Sequence, residues 1–381
     1  MHKRKIAVVT SSRADYWLLR SLMQVLQKNG ALQVIVTGEN CNEQRLEKIK
    51  QDGFLVDAKV ECLMMEDTYL DLGHAIGQGI KNFSDTLFEM KPEVLIILGD
   101  RHEIFAAATA AYSLKIPIAH IHGGEVTYGA LDEGYRHAIS KFSQLHFVSH
   151  EDYRKRLMRM GEIPERIHTV GAIGLDYLST IDFSVDTPFK NSFMDSYQWI
   201  KKDNYFLVTL HSTTLGRENP EEQANCLIEA LEAFSDYRII VTQSNSDPGG
   251  QLLNSRWRAW AERNPNVVFL PVLGDDYLKV AYFSKMVIGN SSSGILEIPY
   301  LDRPCLNIGV REEGRIIPKG VYGCSFDAQS IKKSIQDILK NYQGSSKIYG
   351  IPGKISENIA TILNETPLEN LTYKRFYDTT A

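Results

Sequence analysis

The strongest constraint is a rhythm of short apolar runs that stop abruptly in polar, glycine-bearing clusters, each followed by a segment of helical length. Val94-Leu-Ile-Ile-Leu98 and Ile116-Pro-Ile-Ala-His-Ile121 show it best. Both read as strands buried on two faces, the kind found in parallel sheets. Asp100, Arg101, His102 and Glu103 follow the first run, and His122 to Glu125 follow the second. Both clusters therefore gather at the carboxyl edge of one sheet, where open α/β sheets bind ligands. Asp132, Glu133, Arg136 and His137 come next, on a helix. That density of acids, bases and guanidinium groups exceeds what a structural turn needs.

The same rhythm runs through the chain. Strand-like Ile6–Thr10, Leu32–Thr37 and Leu55–Val60 alternate with helical segments from Asp15 to Lys28 and near Glu43–Gln51. A long segment from Thr68 to Met90 aligns Leu72, Ile76, Ile80, Phe83 and Leu87 on one stripe, which predicts a core-facing helix. Leu145–Ser149, a helix from Glu151 to Met160 and Ile167–Val170 bring the first half to about seven strands of a doubly wound parallel sheet. Periodicity fades between Leu178 and Asn204, then restarts with Tyr205–Leu210, Arg238–Thr242, Val267–Leu270, Met286–Gly289 and Cys305–Ile308, with helices between them, one of them opening at Gly294. At 381 residues the chain exceeds one ordinary core. The expected architecture is α/β: a Rossmann-like doubly wound domain over 1–180 carrying the acid cluster and a second over 200–353. Residues 354–381 form a terminal helix and tail placed back on the first domain.

A net charge of -5 and a pI near 6.1 offer no basic excess for a phosphate backbone, which argues against nucleic acid as a partner. The five cysteines are scattered and form no CxxC pair, which fits free thiols in a reducing cytoplasm. The apolar run Ile6–Thr10 is too short for a signal peptide, and no run approaches the ~18 residues of a membrane span. No membrane partner is expected.

Several constellations carry chemistry. Ser11-Ser12-Arg13 meets the start of the first helix, where an anion or a plain N-cap by Ser12 or Asp15 both fit. Gly289-Asn290-Ser291-Ser292-Ser293-Gly294 opens another helix carrying Glu297. The glycines let backbone approach phosphate oxygens, hydroxyls add donors and Glu297 suits a ribose diol, although a simple cap by Ser291 or Ser292 explains the loop as well. Arg311 and Arg315 are placed to complete a diphosphate clamp, or to stay solvated. His120 and His122 have possible ligand spacing, but no third ligand is evident, so no metal is expected. Asp100, Glu125 and Asp132 are the acid–base candidates, and mutual repulsion is expected to raise at least one of their pKa values. Arg101 and Arg136 would instead neutralise them if they form structural ion pairs. His211 ends the first strand of the second domain.

Taken together, SSRADY, LGDRHEI, HIHGGE, DEGYRHAISK, VTLHSTT, TQSNSD, GNSSSGILEIP and NIGVREEGR resemble the hydrolysing UDP-N-acetylglucosamine 2-epimerases of sialic acid synthesis, including relatives in legionaminic acid synthesis. The resemblance implies a glycosyltransferase-B-like fold with the active site in the interdomain cleft, no cofactor and no metal, a UDP-linked 2-acetamido sugar as partner, a cytoplasmic location and a homodimer. It implies anti elimination of the nucleoside diphosphate to a 2-acetamidoglucal, then hydration to N-acetylmannosamine. Asp100, Asp132 and His211 then fall in catalytic positions, and Glu125 joins them as an acid–base candidate from the acid cluster itself. Arg13, Ser291, Ser292, Glu297 and Arg311 fall in nucleotide-binding positions and Arg136 on the arginine that follows the Asp132 acid, while Arg101 is expected beside them as a further substrate-binding residue. This chain carries Trp17 where the family commonly has glycine, His122 where non-hydrolysing relatives have an acid, and Leu18 where they carry lysine. A hydrolysing 2-epimerase of UDP- or GDP-linked 2,4-diacetamido sugars, a glycosyltransferase and a non-catalytic nucleotide-sugar binding protein are the other readings.

Overall fold

The computed structural model describes residues 4–29, 32–62, 68–128, 131–202, 204–213, 219–244, 249–270 and 273–379. The first part runs β1 (Ile6–Thr10), α1 (Arg13–Lys28), β2 (Leu32–Thr37), α2 (Glu43–Gln51), β3 (Ala58–Val60), α3 (Tyr69–Met90), β4 (Val94–Leu98), α4 (His102–Ser113), β5 (Ile118–Ile121), α5 (Asp132–Phe142), β6 (Leu145–Val148), α6 (Glu151–Arg159), β7 (Ile167–Thr169) and α7 (Leu175–Leu178). The second runs β8 (Tyr205–Thr209), α8 (Pro220–Leu231), β9 (Arg238–Thr242), α9 (Gly250–Arg263), β10 (Val267–Leu270), α10 (Tyr277–Phe283), β11 (Met286–Gly289), α11 (Ser293–Leu296), β12 (Cys305–Ile308), β13 (Val321–Cys324), α12 (Ala328–Asn341) and α13 (Ile355–Glu365). Two compact units result. One comprises Met1–Glu125, Asp132–Ser179 and Tyr349–Ala381, the other Val126–Leu131 and Thr180–Ile348.

The first unit holds a seven-stranded parallel sheet in the order β3-β2-β1-β4-β5-β6-β7. The strand order reverses between β1 and β4, so the loops after these two strands open side by side. Val94–Leu98 is wholly buried, as its unbroken apolar run requires. Of the expected α3 stripe, Phe83 and Leu87 lie at the centre, joined by Ala75 and Gly79, while Leu72, Ile76 and Ile80 flank it. A Cβ on Gly79 would stand 2.6 Å from Cys62 Sγ and 3.1 Å from Ala106 Cβ, so small residues set the close approach of α3 to the alanine-rich α4. The strand expected over Leu55–Val60 shrinks to β3, with Leu55 76% exposed: apolar content there does not mean burial.

Where the C-terminal segment returns to this unit, Gly171 and Gly350 face each other at positive φ, and Ala172 N–H donates to Tyr349 O at 2.8 Å. A Cβ on Gly171 would lie 2.5 Å from Tyr349 O. Buried Asp176 then caps α13, accepting from the amides of Gly353 (2.7 Å), Ile355 (3.1 Å) and Ser356 (2.5 Å).

The second unit repeats the plan with a six-stranded parallel sheet, β10-β9-β8-β11-β12-β13, reversing between β8 and β11. Its apolar core gathers Phe206, Val208, Trp257, Ile288, Leu306 and Ile335. The sequence pattern does not mark β13, whose residues are mostly half-buried. The segment that looked like a plain link is tied down: Asp276 accepts from the amides of Lys190 and Asn191, both at 2.8 Å, and Lys279 Nζ donates to Thr187 O at 2.8 Å. Among the described residues no helix is long and apolar enough to cross a membrane.

Candidate active site

In the first unit, the turn after β1 is closed by Asp15. Its carboxylate accepts from Thr10 Oγ1 (2.6 Å), Ser11 Oγ (2.7 Å) and the amides of Ser11 (2.8 Å) and Ser12 (3.0 Å). Burial pushes this carboxyl up, against hydrogen bonds that favour its charged form. Ser12 Oγ accepts in turn from Asp15 N, completing a capping box. Both donors of Ser11 and the amide of Ser12 are thus spent on the turn, with Ser12 Oγ acting as the helix cap. Arg13 opens α1 beside Arg45, where burial and the second guanidinium lower its pKa and Glu39 raises it. Arg45, which the sequence pattern does not single out, adds positive charge there, with Glu39 opposing it. Trp17 packs among Tyr177 (ring centroids 5.9 Å apart) and Arg20, whose guanidinium lies 4.2 Å from the indole centroid.

At the end of β4 the two arginines part ways. Arg101 forks onto Glu103, with Nε and one Nη each 3.1 Å from its carboxylate. Burial works against the Arg101 charge, but Glu103 raises its pKa overall. Glu103 is 2% exposed and sits beside Gly38, where a Cβ would lie 2.6 Å from Glu103 Oε1. Arg101, expected to bind substrate, is therefore engaged by a buried carboxylate. Arg136, on α5, donates to Asp100 and stands 3.6 Å from Glu133. It is 5% exposed, so a charge partner is obligatory.

Histidines organise the next loop. His120 Nε2 lies 2.8 Å from Gly99 O, which can only accept, so Nε2 carries the proton. Burial pushes the imidazole down to about 3, leaving it neutral, and Nδ1 accepts from Ser140 Oγ at 3.1 Å. A Cβ on Gly123 would press on both partners, at 2.9 and 3.0 Å. His122, at φ 65°, accepts from Ile173 N–H through Nε2 at 3.2 Å. Its Nδ1 then faces Glu125 Oε1 at 3.3 Å, and Ser149 Oγ donates to the same oxygen at 2.7 Å. Both rings are committed to protein partners, and among the described residues no group of three or more His, Cys, Asp or Glu could hold a metal. In place of the repulsion expected among three carboxylates, Asp100 meets Arg136 and Glu125 meets His122 and Ser149. Asp132 opens α5, one turn before Arg136.

In the second unit, Asn290 is the hub that sequence reasoning passed over. Fully buried, it accepts from His211 N through Oδ1 and donates to His211 O through Nδ2, both at 2.8 Å, while its own carbonyl accepts from Arg311 at 3.1 Å. His211, the serine loop and Arg311 are thereby joined. Gly289 makes the approach possible, because at φ 145° a Cβ there would lie 1.9 Å from Thr209 O. The helix after the loop is a single turn, and Glu297 stands at its end rather than within it. Ser292 occupies the cap position without a side-chain capping bond, and Ser293 Oγ pairs with Tyr277 OH at 2.7 Å. Arg311 and Arg315 are both held by buried Glu312, at 2.7 and 2.6 Å. They are a preset pair, not solvated arginines.

The chain matches the family described as UDP-N-acetylglucosamine 2-epimerase over residues 24–364. It belongs to that family. Its relatives include the GDP/UDP-N,N'-diacetylbacillosamine 2-epimerase (hydrolyzing) of Campylobacter jejuni, 32% identical over 388 residues that span 99% of this chain and 100% of that one. The UDP-N,N'-diacetylbacillosamine 2-epimerase (hydrolyzing) of Legionella pneumophila is 32% identical over 374 residues, 96% of this chain and 97% of its own. Among solved structures, UDP-GlcNAc 2-epimerase from Neisseria meningitidis bound to UDP-GlcNAc aligns with a TM-score of 0.81 at 18% identity, covering 95% of this chain and 100% of that one. That likeness establishes the glycosyltransferase-B-like fold.

Proposed function

We propose that the protein is a hydrolysing 2-epimerase that converts UDP-N-acetylglucosamine to UDP and N-acetylmannosamine. The observation that supports it most directly is the buried Arg136 fixed on Asp100 at the carboxyl edge of the first sheet. In the reaction a carboxylate takes the C2 proton as the C1–O bond breaks, and the electron pair leaves with the nucleoside diphosphate. The resulting 2-acetamidoglucal gains hydroxide at C1 and a proton at C2 on the opposite face. Asp100, paired with Arg136, stabilises the positive charge that builds at C1. Glu125 and Asp132 remain for the C2 proton, with Glu125 oriented by His122 and Ser149. Arg13, Ser291, Ser292, Glu297, Arg311 and His211 serve the nucleotide and its leaving phosphate. Within this proposal Arg101 acts through Glu103 as a supporting residue.

A second reading is favoured by the names of the two relatives at 32% identity: the sugar carries a second acetamido group and is linked to UDP or GDP. Proton NMR in deuterated water separates the two. UDP release with N-acetylmannosamine deuterated at C2 supports the first reading, whereas turnover confined to 2,4-diacetamido sugars supports the second. No release from any of these substrates overturns both and leaves a binding protein. A homodimer in the cytoplasm belongs to the same proposal, and sedimentation tests the dimer.

A further inference from the structure

The last described residues form no helix or strand, yet they are firmly docked on the first unit. Arg166 donates to Leu371 O at 2.9 Å and to Tyr373 O at 3.2 Å, and Tyr377 N–H donates to Gly161 O at 2.9 Å. Phe376 lies so close over Gly161 that a Cβ there would stand 2.3 Å from the ring, and Lys141 Nζ sits 5.0 Å from the ring centroid.

At the centre of this strap, Lys374 Nζ contacts Ser140 O (3.2 Å), Lys141 O (2.8 Å) and Ser143 O (2.7 Å), carbonyls in the last turn of α5 and just beyond it. It also meets Glu162, 1% exposed, at 2.5 Å, a carboxylate shared with Lys141 (2.7 Å) and His146 (2.9 Å). A cation there satisfies the carbonyl end of the helix and complements its dipole. The same helix begins at Asp132 and, one turn before Ser140, carries Arg136, the partner of Asp100. Ser140, in the last turn, holds His120, which holds Gly99 O next to Asp100. Helix and loop thus share one chain of contacts that begins at the strap.

We infer that the C-terminal strap is a positioning element for the reaction, with Lys374 fixing α5 so that Asp132 and Arg136 stand correctly against Asp100 and the sugar. The inference rests on the hydrolysing 2-epimerase reading. Lys374 touches no substrate. It acts through the helix.

The test compares the parent with Lys374→Met, Lys374→Arg and a chain ending at Asn370, each verified as folded by circular dichroism. Rates of UDP release and hydrogen exchange in α5 are measured for all four. Lys374→Met and the shortened chain should lose about tenfold or more in kcat with KM within about twofold, since misplacement affects the acid rather than nucleotide contacts. Exchange should rise in α5 and not in α9, and Lys374→Arg should recover most of the rate. Folded variants with unchanged kcat, an equal loss of nucleotide affinity, or unchanged exchange in α5 would each overturn the inference. A parent that releases no UDP overturns the functional reading instead, and exchange in α5 still decides whether the strap holds the helix.

Discussion

Replacing Arg101 by methionine separates a substrate contact from a structural one. Glu103 is 2% exposed and receives both arms of the Arg101 fork; its other neighbouring charge, His102 Nδ1, is 3.4 Å away. Burial pushes that histidine down, so it is a poor substitute cation at neutral pH. Without Arg101 the carboxylate is buried uncompensated, which costs about 3–5 kcal/mol when nothing relaxes. Taking up a proton offers an escape. From an unfolded value of about 4.3, protonation at pH 7 costs about 3.7 kcal/mol, at ~1.36 kcal/mol per pH unit. The expected loss is therefore about 3–4 kcal/mol at pH 7. The sign follows: a carboxyl whose folded pKa is raised regains stability as pH falls, so at pH 5 the ceiling drops to about 1 kcal/mol. Arg101→Met/Glu103→Gln removes the charge and should recover most of the loss. Urea unfolding of parent, single and double variants at both pH values supplies the data, with UDP titration alongside. A loss under 1 kcal/mol at pH 7, or a double variant no more stable than the single, refutes the reasoning. Intact stability with lost UDP affinity would return Arg101 to the substrate.

Ser292→Ala should leave stability within about 0.5 kcal/mol, because its hydroxyl makes no capping bond, while UDP affinity in calorimetry falls about fivefold and kcat changes little. Gly289→Ala forces a Cβ to 1.9 Å from Thr209 O at φ 145°, so strain and lost contacts between the ends of β8 and β11 should cost about 3–5 kcal/mol in urea unfolding. Glu162 is buried, which opposes its charge, but His146, Lys374 and Lys141 hold it at about 2, below its ordinary 4.5. Its ionised form thus contributes about 3 kcal/mol that is complete above the ordinary value and is lost as pH falls from there towards 2. The stability gap between parent and Glu162→Gln should narrow through that window in acid unfolding. Asp100→Asn should abolish UDP release while retaining UDP binding; an Asn variant turning over like the parent would support a binding protein.

Periodicity alone specified the two doubly wound sheets, apart from β13 at the edge of the second. Unbroken runs such as Val94–Leu98 fit only strands buried on both faces, and helical segments between them force parallel neighbours. The same logic placed Asp100 and Glu125 beyond strand ends at one sheet edge. What it left open was which side chain meets which. Arg101 and Arg136 read alike in sequence, yet one serves the buried Glu103 and the other Asp100. Asp15 absorbs the donors of the serine turn, Asn290 joins His211 to Arg311, and Lys374 reaches the end of α5 across 231 positions of sequence. Apolar spacing records only whether a residue faces the core. The pairing of charges and hydrogen bonds depends on side-chain direction and on contacts distant in sequence, and the tertiary structure decided it.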